Sequence, residues 1–163
     1  MLRNLMKNHS PVEVFETRSE IEPLIGSMAA KRRTKEDLKE LKNCLKKLNT
    51  LGRNLQNCLE DESRNLDEYM EEDRNFHLLI AKSTHNSVFF LVYNDISLML
   101  KEELWKIMKK NSLMKEGNLR KFEKEHTDIF NAIQNSDSET TRMIMREHLE
   151  NIENDMFDGD GKD

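Results

Sequence analysis

Residues 119–134 read LRKFEKEHTDIFNAIQ, and this stretch decides the fold class. Its apolar side chains recur three or four residues apart, which is the spacing of one face of an α-helix. These side chains are Phe122, Ile129, Phe130 and Ile133, and His126 falls on the same side. The stretch therefore predicts an amphipathic helix that carries a histidine on its buried face.

The segment that follows repeats this pattern. Ile144, His148 and Ile152 are separated by four residues, so they predict a last helix with a second histidine on its apolar stripe. Ser136 or Asp137 can cap its first turn, because both side chains accept hydrogen bonds from free backbone N–H groups.

The helical spacing also extends toward the N-terminus. Residues 88–110 predict one long amphipathic helix, and a third helix is expected to begin near residues 65–66 and to carry Asp73 and His77 in its middle. Residues 53–64 are polar, which favours either a helical extension or a mobile connection. No segment favours a β-strand, so the fold class is all-α.

Two helices are expected before these. The first covers residues 11–32, with a kink or break near Glu22, because Pro23 removes a backbone hydrogen bond and crowds the preceding turn. Residues 34–37 form a capping box with Asp in the usual place of Glu or Gln, and the second helix is expected to end near Gly52.

Composition narrows the functional classes. The 163 residues suit one domain, and a net charge of −5 argues against unaided binding to nucleic acid, which needs a basic face. The sequence shows neither a membrane span nor a secretory signal, so the expected compartment is the cytoplasm. Cys44 and Cys58 have no paired metal-binding spacing, and both are expected to be reduced thiols.

Four residues on the inward sides of these helices are metal-ligand types. Asp73 and His77 are four residues apart and share one helix face, while His126 and His148 each come from another helix. Three imidazoles and a carboxylate would form a protein shell for a borderline divalent ion such as Zn²⁺, with Ni²⁺, Fe²⁺ and Mn²⁺ as alternatives. Helical bundles build metal sites in this way, from side chains that project inward from facing helices.

The same four residues also fit purely structural roles. An Asp and a His four residues apart often form a local ion pair, and a histidine on an apolar face is often a hydrogen-bonded core residue. A di-iron site is not favoured, because only residues 123–126 fit the Glu-x-x-His pattern that such bundles need twice. The chain also lacks HExxH, P-loop, GxGxxG and GxSxG motifs, so an enzyme is not expected.

The order of several short motifs resembles the all-helical FCD effector-binding domain of FadR-type regulators in the GntR superfamily. The matching residues are Glu16-Thr17-Arg18, Ile21-Glu22-Pro23, Ala29-Ala30, Arg32, Thr34 to Leu38, Asp73 to His77, Asn86, Glu125 to Ile129, Ala132-Ile133, Asp137 and His148-Leu149. Single pieces are weak, whereas their order and spacing together are specific, and they extend from about Val12 to Ile152.

The resemblance implies an antiparallel bundle of six or seven helices that encloses a cavity. It implies a divalent ion on Asp73, His77, His126 and His148, and a small carboxylate effector held by the ion and by Arg18 from the first helix. Asn86 matches a family asparagine near the cavity. A surface ion pair with Glu22, four residues on, is an equal alternative for Arg18.

The resemblance also implies a homodimer that binds DNA through an N-terminal winged helix-turn-helix. Residues 1–10 are too few for that module, so they are interpreted as the remnant of a linker or N-terminal segment, residues 11–157 as the effector domain, and residues 158–163 as a flexible tail. The chain is expected to be part of a longer regulator or a stand-alone sensor. The competing classes are a metal-dependent hydrolase or lyase acting on a small acid, and a metal-free helical adaptor.

Overall fold

A computed structural model describes residues 9–57, 62–101 and 103–157 of the chain. These residues form seven α-helices and no strand, so the predicted all-α class is confirmed. The helices are α1 (Pro11–Arg32), α2 (Lys35–Asn57), α3 (Glu62–Lys82), α4 (Ser87–Met99), α5 (Glu103–Leu113), α6 (Asn118–Gln134) and α7 (Ser138–Phe157).

The most extensive packing of the bundle joins α1 to α7 and α2 to α3. Gly26 of α1 lies so close to α7 that an added Cβ would be 3.2 Å from Thr141 Cγ2. The helix α1 continues through the buried Pro23, so a break near Glu22 does not occur, and a kink there stays a prediction. None of the described helices is long and apolar enough to cross a membrane.

The helix ends show the predicted capping where the sequence carried a clear signal. The Asp37 carboxylate accepts from the Thr34 backbone N–H at 2.7 Å, and the Thr34 hydroxyl accepts from the Asp37 N–H at 3.2 Å. Asp137 accepts from Thr140 N at 3.0 Å, so it is the side chain that caps α7. These bonds satisfy donors that have no partner within the helix.

Three boundaries differ from the prediction. The second helix continues past Gly52 to Asn57, and the third begins at Glu62, ahead of residues 65–66. The single helix predicted for residues 88–110 is wrong, because α4 packs mainly on α3 and α1 whereas α5 packs on α7 and α6. One straight helix cannot pack on both of these pairs of helices. At the junction, Lys101 N donates to Leu98 O in a turn tighter than that of an α-helix.

Cys44 is a buried free thiol on α2, as expected from the sequence. Cys58, the connection at residues 58–61 and the tail at residues 158–163 lie outside the described residues. Arg33, which follows α1, donates to Ile133 O at 3.1 Å and Gln134 O at 2.8 Å. It thereby ties the α1–α2 junction to the C-terminal end of α6, close to the elements that carry the site.

Candidate metal centre and effector cavity

Three of the four predicted ligands meet in the centre of the bundle. His77 of α3, His126 of α6 and His148 of α7 are buried, and each offers a ring nitrogen within 4.8 Å of those of the other two. Their ring centroids are 5.6 Å apart for His77 and His126, 5.5 Å for His77 and His148, and 4.7 Å for His126 and His148. The three helices therefore converge on one small volume lined by imidazoles.

Asp73 lies beside this triad, one turn before His77 on α3. Its Oδ1 is 3.1 Å from His126 Nε2, and its Oδ2 is 3.4 Å from the Nζ of Lys109 on α5. Burial opposes ionisation of Asp73, but Lys109 and His126 outweigh it and hold the pKa of this carboxyl well below its usual range. The carboxylate is thus charged, with one oxygen on the histidine side and one on the lysine side.

Many polar atoms of this cluster are buried without a hydrogen-bond partner. They are Asp73 Oδ1, both ring nitrogens of His77 and of His126, and His148 Nε2. A buried polar atom that lacks a partner costs about 1 to 3 kcal/mol, so several such atoms in one place are a substantial cost against a typical domain's stability of about 5 to 15 kcal/mol. A divalent ion would satisfy up to four of them together, one nitrogen of each imidazole and Asp73 Oδ1, and the residues present fit that group.

The protonation states also suit a metal. Burial lowers the pKa of His126 although Asp73 opposes it, and burial together with the neighbouring histidines lowers the pKa of His148 well below its usual value. Both imidazoles are therefore neutral near pH 7, which is the form that binds metal ions.

Carboxylates stand behind two of the three rings. His148 Nδ1 is hydrogen-bonded to Glu125 Oε2 at 2.6 Å, and the Asn151 amide donates to the other oxygen of Glu125 at 2.7 Å. Burial raises the pKa of Glu125 to about 7. On the other side, Glu22 Oε2 lies 2.8 Å from His77 Nδ1, at hydrogen-bond distance although not in hydrogen-bond alignment. Such partners orient histidine ligands in metal sites.

Arg18 is buried on α1 and pairs with Glu22 through its Nε. Its Cζ is 5.5 Å from the ring centroids of both Phe15 and Trp105, two rings that stack 6.0 Å apart. Arg18 therefore does form the predicted ion pair with Glu22, but this pair is buried rather than on the surface. Burial opposes the charge of Glu22, yet Arg18 and His77 lower its pKa to about 2.

A cavity of about 500 Å³ adjoins the cluster. Its lining includes Arg18, Met70, Asp73, Leu100, Trp105 and Lys109. Two buried cations, Arg18 and Lys109, thus face the same space as the Asp73 carboxylate. The Lys109 Nζ also lies 5.2 Å from the Phe122 ring centroid. Eleven of the fourteen described lining residues are charged, six of them cations and five carboxylates. The two buried cations are the contacts in this space that suit a small anion.

The model of the FCD domain family matches residues 13–151 of the chain. The chain belongs to the FCD domain family. This membership confirms the resemblance to the effector domains of GntR-type regulators. The comparisons support an effector-sensing, regulatory role for such a domain.

Curated relatives of this FCD domain are transcriptional regulators. The HTH-type transcriptional regulator LutR of Bacillus subtilis is 26% identical over 149 residues, which cover 91% of this chain and 63% of LutR. The Uxu operon regulator of Haemophilus influenzae is 27% identical over 156 residues, 91% of this chain and 52% of the relative. The Uxu operon transcriptional regulator of Escherichia coli is 26% identical over 150 residues, which cover 91% of this chain and 54% of that relative. The chain thus spans between half and two thirds of the length of these relatives.

Asn86 lies away from this cavity in the FCD domain. Its side-chain oxygen accepts from Val88 N at 3.0 Å and from Phe89 N at 3.3 Å, so it is the N-cap of α4. Asn86 is not one of the described residues that line the cavity. Its capping bonds account for an asparagine at this position, and a contact with an effector stays a prediction.

Sequence reasoning missed two charged residues of the site. The sequence predicts Glu22 as a surface partner of Arg18 and as part of a family motif, and it gives Lys109 no role beyond the charges of a predicted amphipathic helix. A usable signal existed for Glu22, since it precedes Pro23 and is four residues from Arg18 on a helix face. Nothing local distinguishes Lys109, because its burial depends on how α5 packs against α6 and α7.

Proposed function

We propose that this FCD domain binds a divalent metal ion and a small organic acid, and that occupancy of this site modulates DNA binding by a winged-helix module of the same regulator. The single observation that carries the proposal is the cluster of unsatisfied ring nitrogens of His77, His126 and His148 beside a charged Asp73.

Asp73, His77, His126 and His148 would hold the ion. Three imidazoles and one carboxylate suit Zn²⁺ first, and Ni²⁺, Fe²⁺ or Mn²⁺ are alternatives that availability selects. The bound ion would supply positive charge and a coordination position for an oxygen of the acid. Glu125 holds His148 by its Nδ1 and so leaves its Nε2 for the ion.

Arg18 and Lys109 are the proposed anchors of the acid. The Glu22 carboxylate occupies the Nε edge of Arg18, and Phe15 and Trp105 fix the guanidinium plane, so the terminal nitrogens remain to grip a carboxylate in parallel hydrogen bonds. Lys109 enters the same cavity from α5 and adds a second cation. The proposed effector is therefore an anion small enough for about 500 Å³.

The regulatory step is a shift between two states of the domain. The acid would link α1, which carries Arg18, to the helices that carry the metal ligands, and this differential contact favours one orientation of α1 over another. The HTH-type name of LutR and the greater length of the relatives support a DNA-binding partner module.

A second copy of the chain is the proposed protein partner. The supporting observation is the surface of α4, where Val88 is 65% exposed and Leu91 is 60% exposed, with Val92 beside them. Sedimentation equilibrium of wild type and Leu91→Asp tests this: a dimer that becomes a monomer in the variant is expected, and a monomeric wild type would refute it.

Elemental analysis and a thermal-shift screen test the function. Protein purified without chelator should carry about one metal ion per chain, whereas His126→Ala and His148→Ala should carry none. Small organic acids should raise the melting temperature of the metal-loaded protein, and chelator should abolish that effect. If wild type binds no metal stoichiometrically and no acid changes its melting temperature, the chain is a metal-free helical module and the proposal is wrong.

A further inference from the structure

One buried carboxylate of α1 touches both halves of the site. Glu22 Oε1 pairs with the Nε of Arg18, and Glu22 Oε2 lies 2.8 Å from Nδ1 of His77. Both side chains of the Arg18–Glu22 pair are only 3% exposed, as is that of His77, so water does not screen these contacts. Glu22 therefore lies between the anchor of the acid and a ligand of the metal.

The two contacts of Glu22 are not equally satisfied. Arg18 Nε donates an aligned hydrogen bond to Glu22 Oε1, whereas Glu22 Oε2 and His77 Nδ1 both lack an aligned hydrogen bond despite their proximity. The carboxylate is thus held primarily by the arginine. Any change that weakens the hold of Arg18 leaves Glu22 freer to align with the histidine.

Given the function proposed above, on which this inference rests, we propose that Glu22 is a positioning residue that couples Arg18 to His77 and so makes acid and metal bind cooperatively. An acid carboxylate on the terminal nitrogens of Arg18 competes with Glu22 for the guanidinium charge. Glu22 then aligns with His77 Nδ1, which fixes the ring and directs Nε2 to the ion. By linkage, the ion favours the acid by the same factor.

Glu125 provides the matched control. It also places a carboxylate on the Nδ1 of a proposed ligand, His148, but its second oxygen accepts from Asn151 rather than from Arg18. A residue that merely supports a histidine behaves like Glu125. A residue that couples the two sites shows an additional dependence on Arg18.

Two double-mutant cycles on the affinity for Zn²⁺ alone, without any acid, make this distinction. The first cycle combines Arg18→Gln with Glu22→Gln, and the second combines Arg18→Gln with Glu125→Gln. Each glutamine variant of a carboxylate is expected to weaken Zn²⁺ binding by about 10- to 100-fold, because it loses a partner that orients a ligand. Arg18→Gln alone is expected to tighten binding, because Glu22 is released toward His77.

The decisive quantity is the non-additivity of the two substitutions in their effects on the Zn²⁺ dissociation constant. The effect of Arg18→Gln should differ by about fivefold or more between the wild-type and Glu22→Gln backgrounds, and by no more than about twofold between the wild-type and Glu125→Gln backgrounds. If Glu22→Gln leaves Arg18 unpaired and the protein does not fold, Arg18→Lys and Glu22→Asp replace the first pair, and non-additivity in the same direction is expected.

The outcomes separate this inference from the proposed function. Zn²⁺ binding with additive effects in both cycles, or with equal non-additivity in both, overturns the coupling role of Glu22 and leaves the metal site intact. Absence of Zn²⁺ binding in wild type overturns both.

Discussion

The buried histidine cluster should make the melting temperature of this FCD domain depend on a bound metal ion. Free ion at about 100 times its dissociation constant stabilises a protein by about 2.7 kcal/mol. For a chain of 163 residues, each 1 kcal/mol corresponds to a shift of about 2 to 4 °C in the melting temperature. Chelation should therefore lower the melting temperature of wild type by about 5 to 10 °C.

His126→Ala tests whether the cluster causes this effect. His126 is fully buried and neither of its ring nitrogens makes an aligned hydrogen bond, so alanine removes a proposed ligand and also leaves a cavity. The cavity lowers the melting temperature by itself, and the informative quantity is consequently the difference between scans with and without chelator. That difference should vanish in His126→Ala.

His85→Ala is the matched control. His85 is half-exposed and donates from its Nε2 to Asp37 at 2.7 Å, outside the cluster, so the variant loses a histidine without losing a proposed ligand. It should keep the full chelator effect. A chelator effect that is absent in wild type, that persists in His126→Ala or that vanishes in His85→Ala would refute the assignment of the site.

Three further predictions follow from individual contacts. Arg18→Lys keeps the charge but loses the planar fork, so isothermal titration with a bound acid should show affinity reduced about tenfold or more, with metal content unchanged. Lys109→Met removes a cation next to Asp73; it should weaken acid binding and tighten metal binding, and loss of both in the same titrations would instead show that the lysine only supports Asp73. Asp37→Asn removes one side of the capping box, at a cost of about 0.5 to 2 kcal/mol in urea unfolding near pH 7. Burial opposes its charge, but the bonds from Thr34 and then His85 lower the pKa of Asp37. Its stabilisation is therefore present above the unfolded-state pKa of about 4 and lost as pH falls through the lower folded value, so wild type and variant should converge in acid.

The histidines could be found from the sequence because their positions depend on local periodicity. His126 and His148 share the apolar stripes of α6 and α7, and each stripe has a single buried side, so a helical repeat is sufficient to place them inward. The metal-ligand chemistry of the side chains then suggested a common site. The meeting of the three rings required only that three such faces share one core.

The charged residues of the site could not be found in this way. Glu22 and Lys109 have charged side chains, and a periodic pattern of apolar residues places charged side chains on the solvent side of a helix. Their burial depends on partners from elsewhere in the sequence, namely His77 for Glu22, and Asp73 and the Phe122 ring for Lys109. A buried charge is stable only with such a partner, so the pair has to be known before either residue can be placed.

The break between α4 and α5, where the sequence predicts one continuous helix, determines which side chains of α5 line the cavity. With 3.6 residues per turn, a continuous helix would place Trp105 and Lys109 roughly 120° to 160° around the axis from Tyr93 of α4. Leu104 and Ile107 would continue the inward face of α4, yet they are 56% and 50% exposed, whereas Trp105 and Lys109 are buried. The interruption after Met99 therefore reorients the chain so that a new face turns inward. That face supplies the ring beside Arg18 and the second cation of the cavity. The proposed acid contacts of Trp105 and Lys109 thus depend on a change of helix direction at this break, whereas the proposed metal ligands lie on helices whose own periodicity turns them inward.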